Sequence, residues 1–319
     1  MLQNNFVSIL FFSFVYLLSD FIGFTFMLPL LLACALVSVL GAERAPLAPK
    51  LQFRGLQAAD FAHPTDLQLT RQLQSNPLIA DVIRRVVEPL EKAYVADNLA
   101  SAVLVGEKQL PRLFASLEQA ASTLNVPAPD LYVRQNAVPN AYTLAIRGRK
   151  PFIVLHSAII DLLSEEELQA VLAHELGHLK CEHGVAVTLL NLLMLASESL
   201  LRSSALSIPL RSLLLEWQRS AEYSCDRAAL LVAQDVQVVA SVFMKLAGGK
   251  GSSQEMAVDS FIHQAVAYEE ISRSGVGRLL SFGRKQMSTH PEPVIRAREI
   301  VKWGESPAYA GILARAKNI

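Results

Sequence analysis

The residues best suited to chemistry in this sequence are His174-Glu175-Leu176-Gly177-His178, an H-E-x-x-H pattern. On a helix, side chains four apart share a face, so both imidazoles can reach one metal ion. Glu175 is rotated from His174 by about 100°. Its carboxylate can stand beside an open coordination position and take a proton from a water whose pKa the metal lowers to about 7. That chemistry is metal-assisted hydrolysis. The competing reading is a chance match on a polar helix face, because the pattern fixes only three residues. Against it, the surrounding LQAVLAHELGHLK is apolar on most sides. Two histidines and a carboxylate without partners would be costly there. Gly177 weakens a helix by about 1 kcal/mol relative to Ala, and a glycine there lets another segment approach the metal face.

A hydrolytic zinc needs a third protein ligand. A histidine six residues after His178 would complete one known pattern, but that position is Gly184. His183 is one residue short and reads as a surface histidine or as a partner of a ligand. The other pattern takes a carboxylate from a later helix. Glu222 lies 44 positions after His178, which leaves room for an intervening helix and a return. Asp226 follows at i+4 on the same face. Glu222 is therefore the candidate third ligand and Asp226 the acceptor for an imidazole N–H. An exposed acidic helix face gives the same spacing and stays open as the alternative. Cys181 and Cys225 could also supply thiolates, but a closed Cys/His site would leave Glu175 without a task. They read as small buried residues.

These side chains require two helices and something to hold them. Ser164-Glu165-Glu166-Glu167 is a capping box, which predicts a helix over about 165–182. Pro209 precedes a second helix carrying Glu222 and Asp226. Residues 67–124 read as helical, with Val82, Val86, Leu90 and Tyr94, then Leu113, Leu117 and Ala121, at helix spacing. Short β-like runs follow at Leu131–Arg134, Tyr142–Ile146 and Phe152–His156, separated by turn residues. Helical pattern resumes at 254–270 and 291–302. The apolar run 185–195 is short for a bilayer span and reads as a buried helix. The fold class is α+β, mainly α-helical, with a small sheet.

The 319 residues are 52% apolar, with a mean hydropathy of +0.32, which points to membrane contact. Acidic and basic residues balance at 29 each, so no charge bias favours nucleic acid. The three cysteines, Cys34, Cys181 and Cys225, suit a reducing compartment. Residues 6–18 and 21–41 are apolar, and the second run is long enough for a span of about 20 residues. A secretory signal would have a basic n-region and a transit peptide would be Arg-rich, so an anchor fits better than either. Arg44, Lys50 and Arg54 follow the run, which places the bulk of the chain on the stromal or cytoplasmic side.

Together these segments resemble the HtpX-like membrane metallopeptidases, peptidase family M48 of the gluzincins. The resemblance rests on Asn140-Ala141-Tyr142, HELGH at 174–178, EYSCD at 222–226 and His290-Pro291 with Arg296. The wording PDLYVRQNAVPNAYTLAI, LAHELGHLKCEHG and CDRAALLVAQD is similar to the plastid and cyanobacterial branch, including plastoglobule-type members. It covers about residues 55–303. It implies a zincin-like fold, one Zn2+ on His174, His178 and Glu222, and endopeptidase activity. The implied substrate is a polypeptide, membrane-bound or membrane-associated, at a chloroplast thylakoid, plastoglobule or cyanobacterial membrane. The resemblance further implies that Asn140, Ala141 and the strand around Val154 flank the cleft and bind an extended peptide by strand addition. It gives His290 an oxyanion-stabilising role, with Arg296 bracing that end. For His290 the plain alternative is a helix-start residue before Pro291. Cys225 stands where the family usually has Ala.

The expected organisation is a membrane anchor or targeting segment at 1–41, a linker at 42–66, a helical lead-in at 67–125, the zinc metallopeptidase domain at 126–303 and a tail at 304–319. Two rivals are a catalytically silent membrane scaffold keeping a structural zinc, and a di-iron helical protein. The second needs paired Glu-x-x-His motifs, which the sequence does not show.

Overall fold

A computed structural model describes residues 50–75, 96–145, 150–184, 207–249, 255–275, 277 and 290–317. The apolar runs at 6–18, 21–41 and 185–195, and the helical pattern from Val82 to Tyr94, lie outside these residues. Among the described residues, no helix is long and apolar enough to cross a membrane.

The chain enters through α1 (Ala58–Phe61) and α2 (Pro64–Gln74). The linker expected over 42–66 is, from residue 50 onward, packed chain. Phe53, Leu56 and Phe61 are all buried in the main core. Three large apolar side chains, widely spaced on short irregular segments, leave no period to read. α3 (Pro111–Leu124) buries Leu117, Ala120, Ala121 and Leu124, a stripe at helix spacing. It stops at Asn125 in the left-handed region, a common way to end a helix.

A four-stranded sheet follows, made of β1 (Val103–Leu104), β2 (Asp130–Arg134), β3 (Ala141–Leu144) and β4 (Phe152–His156). Its order is β1-β2-β4-β3. β4 runs parallel to β2 and antiparallel to β3. Alternation sends Ile153 and Leu155 into the main core, while Phe152 and Val154 join Tyr132 in a second cluster on the opposite face. β4 is thus an inner strand, as is β2, and β3 is an edge. The sequence showed β2, β3 and β4 closely, but β1, only two residues long, was not expected.

α4 (Ser157–Leu162) leads into α5 (Glu165–Lys180), which carries the H-E-x-x-H residues. The expected capping box is present: the Ser164 hydroxyl accepts from the Glu167 amide, and the Glu167 carboxylate accepts from the Ser164 amide. α6 (Ser207–Ala233) carries Glu222 and Asp226 and packs along α5. The two helices touch at Gly177. A Cβ there would lie 2.9 Å from Cys225 Cα and 3.0 Å from Ala228 Cβ, so only glycine permits this approach. α7 (Val236–Gly248), α8 (Val258–Arg273) and α9 (Pro293–Gly304) complete the surround. Residues after 304, expected as a tail, form α10 (Pro307–Lys317), with Tyr309 and Ile312 buried.

Candidate active site

The α5–α6 contact brings the two candidate motifs face to face. His174 Nε2 is 3.5 Å from Glu222 Oε2, and His178 Nε2 is 3.6 Å from Glu222 Oε1. In a tetrahedral site with bonds of 2.0–2.1 Å, ligand atoms stand about 3.3–3.4 Å apart. Each Nε2 is therefore about as far from one Glu222 oxygen as two ligand atoms of a shared ion would be, His174 from Oε2 and His178 from Oε1.

The chemistry of the donor set fits a zinc-sized cation. Glu222 is buried, and its Oε2 receives no well-directed hydrogen bond among the described residues, although His290 Nδ1 lies 2.9 Å away. A buried carboxylate oxygen needs opposite charge nearby; Arg296 Nη2, 3.5 Å from the same oxygen, supplies part of it, and a metal ion shared with the imidazoles would supply more. Burial pushes the Glu222 carboxyl up, but His174, His290 and Arg296 outweigh it and hold it well below the ordinary range.

Asp226 sits behind His174, with Oδ1 2.9 Å from Nδ1. Arg296 on α9 grips Asp226 in turn, through Nε at 2.9 Å and Nη2 at 2.5 Å. The guanidinium also lies 4.5 Å from the Phe243 ring centre on α7. Burial opposes charge on Asp226, yet Arg296 and His174 keep its pKa low. Burial likewise works against the charged form of His174, but Asp226 and Glu222 lift it to about 10. For His178 burial dominates: Glu222 pulls the other way, the neighbouring imidazoles reinforce burial, and the result is about 3. Each ring's Nε2 is directed at Glu222, and each Nδ1 has a partner behind it.

Glu175 is buried beside the pair. Burial raises its pKa, and His174 and Thr143 temper the rise. A carboxyl moved toward neutrality suits a general base. Thr143 on β3 donates from Oγ1 to Glu175 Oε2 across 2.6 Å. Sequence reasoning did not single out Thr143. Its signal was strand alternation, which puts it on the same face as Ala141.

A cavity opens over these groups. Asn140, Ala141, His174, Glu175, Glu222, His290 and Arg296 line its polar side, and Ile159, Val171, Val239, Val242 and Phe243 line the other. Asn140, Ala141, His290 and Arg296 are thus brought together with the H-E-x-x-H helix. Val154 is not. It is fully buried on the inner strand β4, on the sheet face away from α5, and its backbone is paired on both sides. The strand edge beside this cavity is β3, which pairs only with β4 among the described residues.

His183 is no surface residue: it is completely buried, with Nδ1 3.1 Å from His178 Nδ1. Both described cysteines are buried and free, and burial raises both thiol pKa values. Cys225 does come within 4.8 Å of ligand atoms of His174 and His178. Its Sγ lies 3.7 Å from His183 Nδ1. Glu222 faces the two Nε2 atoms through its two different oxygens, whereas the single Cys225 sulfur groups with both imidazoles.

Comparison with known proteins adds an independent line. The model of peptidase family M48 matches residues 107–304. The plastoglobule-localized metallopeptidase 48, chloroplastic, of Arabidopsis thaliana is 48% identical over 273 residues, covering 85% of this chain and 79% of that protein. A protease HtpX homolog of Tropheryma whipplei is 25% identical over 234 residues, covering 65% and 77%. Among solved structures, that of S. mikatae Ste24p aligns with a TM-score of 0.43 and 15% identity, over 74% of this chain and 60% of that chain.

Proposed function

The chain belongs to peptidase family M48 as an HtpX-like metallopeptidase of the plastid branch, and from that premise we propose that His174, His178 and Glu222 hold a single zinc ion with Glu175 as the base. The observation that supports this reading most is the spacing of the two Nε2 atoms from the Glu222 oxygens, 3.5 and 3.6 Å. When bound, the metal supplies Lewis acidity to the scissile carbonyl and makes water a usable nucleophile at neutral pH.

The protein's own groups do the rest. Glu175 accepts the proton of the attacking water and delivers it to the departing amine. Thr143 keeps the carboxylate aimed while it does so. Asp226 fixes the His174 ring, with Arg296 holding Asp226. His290, exposed beside Glu222, donates to the oxygen that gains charge as water adds. The substrate backbone lies along β3 next to Asn140 and Ala141 as an added strand. The apolar wall built from Val171, Val239, Val242 and Phe243 receives an apolar side chain flanking the cut.

The substrate is a polypeptide, and we read it as membrane-bound or membrane-associated. The apolar 21–41 run and the plastoglobule-localized, chloroplastic description of the Arabidopsis relative support a plastid membrane location. A silent scaffold with a structural zinc accounts poorly for Glu175, a buried carboxylate beside the ligands with its own hydroxyl donor.

The test is cleavage of casein by the full chain and by Glu175→Gln, with zinc content measured for both. The expected result is one zinc in each protein and cleavage in the wild type alone. Equal cleavage by the variant removes Glu175 as the base.

A further inference from the structure

We infer that His183 and Asp66 act as positioning residues for His178, fixing its tautomer through a buried hydrogen-bond chain that starts outside the family-matched segment. The inference rests on the reading of His178 as a metal ligand. It extends that reading to α2, because residue 66 lies well before the match at 107–304.

The chain of contacts is short, and every member behind the partly buried His178 is buried. His178 Nδ1 is 3.1 Å from His183 Nδ1. His183 Nε2 is 3.0 Å from both oxygens of Asp66. Asp66 also receives the hydroxyls of Ser224 at 2.5 Å and Thr70 at 2.9 Å. His183, Asp66, Ser224 and Thr70 are all buried.

The direction of each hydrogen bond follows from groups that can only donate. The Trp217 indole N–H has no acceptor capacity and sits 3.1 Å from Thr70 Oγ1. The Thr70 oxygen therefore accepts, and its own proton goes to Asp66. The backbone N–H of His63 is 2.9 Å from Ser224 Oγ, so the same holds for Ser224. The Ser220 carbonyl offers Ser224 a second acceptor at 3.2 Å, but the Asp66 contact is shorter. Asp66 thus acts as an acceptor toward every neighbour, and the hydrogen between it and His183 belongs to Nε2.

The last step is set at the ligand. A neutral imidazole whose Nε2 faces a cation carries its hydrogen on Nδ1. His178 must then donate to His183, whose Nδ1 carries no hydrogen and accepts; the Cys225 thiol, 3.7 Å from the same nitrogen, is a weaker competing donor. All polarities agree along the chain. His174 reaches its carboxylate, Asp226, directly, whereas His178 reaches Asp66 through a second imidazole. Partners of this kind typically change metal affinity by about 10–100-fold when removed.

The experiment measures zinc affinity by competition with a chromophoric chelator and records the visible spectrum of the cobalt-substituted protein, using the full chain throughout. The variants are His178→Ala, His183→Phe, Asp66→Ala and the milder Asp66→Asn. His178→Ala is expected to lose high-affinity zinc. His183→Phe and Asp66→Ala are expected to bind zinc about 10–100-fold more weakly and to shift the cobalt bands. Asp66→Asn keeps the volume and drops the charge, and should show the same change to a smaller degree even if the larger substitutions fail to fold. If His178→Ala binds zinc like the wild type, the ligand reading itself fails. If His178→Ala loses zinc but Asp66→Asn matches the wild type in affinity and cobalt spectrum, the positioning inference is overturned. Asp66, Cys181 and His183 also group closely enough to hold an ion. A wild type carrying two zinc ions, with one lost in His183→Phe, overturns the inference in favour of that second site.

Discussion

The Thr143 hydroxyl on β3 donates to the Glu175 carboxylate on α5 across 2.6 Å, so the sheet edge that faces the cleft also aims the proposed base. One residue couples the place where a peptide would lie to the group that would move its proton. An alternating strand makes this possible: Thr143 turns toward α5 while Tyr142 and Leu144 pack on the far face.

Removing that hydroxyl should therefore damage turnover more than binding. Hydrogen bonds to charged groups contribute about 1.5–3 kcal/mol, so Thr143→Val should lower kcat by about ten-fold or more. KM should change little and zinc content not at all, and Thr143→Ser should recover most of the rate. Steady-state kinetics on one peptide substrate decides it. An unchanged kcat in Thr143→Val would show that Glu175 needs no such support.

Gly177→Ala sets two effects against each other. Helix propensity alone favours alanine by about 1 kcal/mol. Against this, the new methyl would meet the Cys225 backbone at 2.9 Å, and a backbone cannot swing aside. Net destabilisation of about 1–3 kcal/mol is expected, with reduced zinc occupancy because Glu222 rides on the displaced α6. Thermal unfolding with metal analysis checks both. A stabilised variant with full zinc would show that the helices have slack at this point.

Glu167 should give acid-dependent stability. Burial pushes its carboxyl up, but Lys245, the Ser164 amide and the Ser241 hydroxyl outweigh burial and hold its pKa below the ordinary 4.5. A depressed folded-state pKa means stability that is present above about 4.5 and lost as pH falls through the lower folded value. Glu167→Gln should therefore cost about 1–3 kcal/mol at pH 7. The gap to wild type should close as pH drops below 4.5. Denaturant titrations across pH 3–7 measure this, and a gap that stays constant would mean the carboxylate charge is irrelevant.

How much of this was readable in advance depended on range. The capping box at Ser164 and the stripe Leu113, Leu117 and Ala121 are local patterns, and the helices formed where expected. His174, Glu175 and His178 share one helix turn and needed only its geometry. Glu222 required a guess about a distant helix, which the glycine at 177 made plausible. Strand order was different. Nothing in Phe152–His156 says that it inserts between β2 and β3, so Val154 was placed at a cleft it does not reach, and the accessible edge at Thr143 was missed. Asp66 fell within a presumed linker because α1 and α2 are too short, and their buried residues too scattered, to show a period. Its connection to His183 spans 117 positions, and no local pattern carries such a link.

The most direct measurement is zinc K-edge X-ray absorption on the zinc-loaded full chain, because the rival ligand sets differ in one scatterer. Expected are nitrogen and oxygen neighbours only, at about 2.0–2.2 Å, including the multiple-scattering signature of two imidazoles. A sulfur neighbour at about 2.3 Å would place Cys225 rather than Glu222 on the metal and contradict the ligand set of His174, His178 and Glu222.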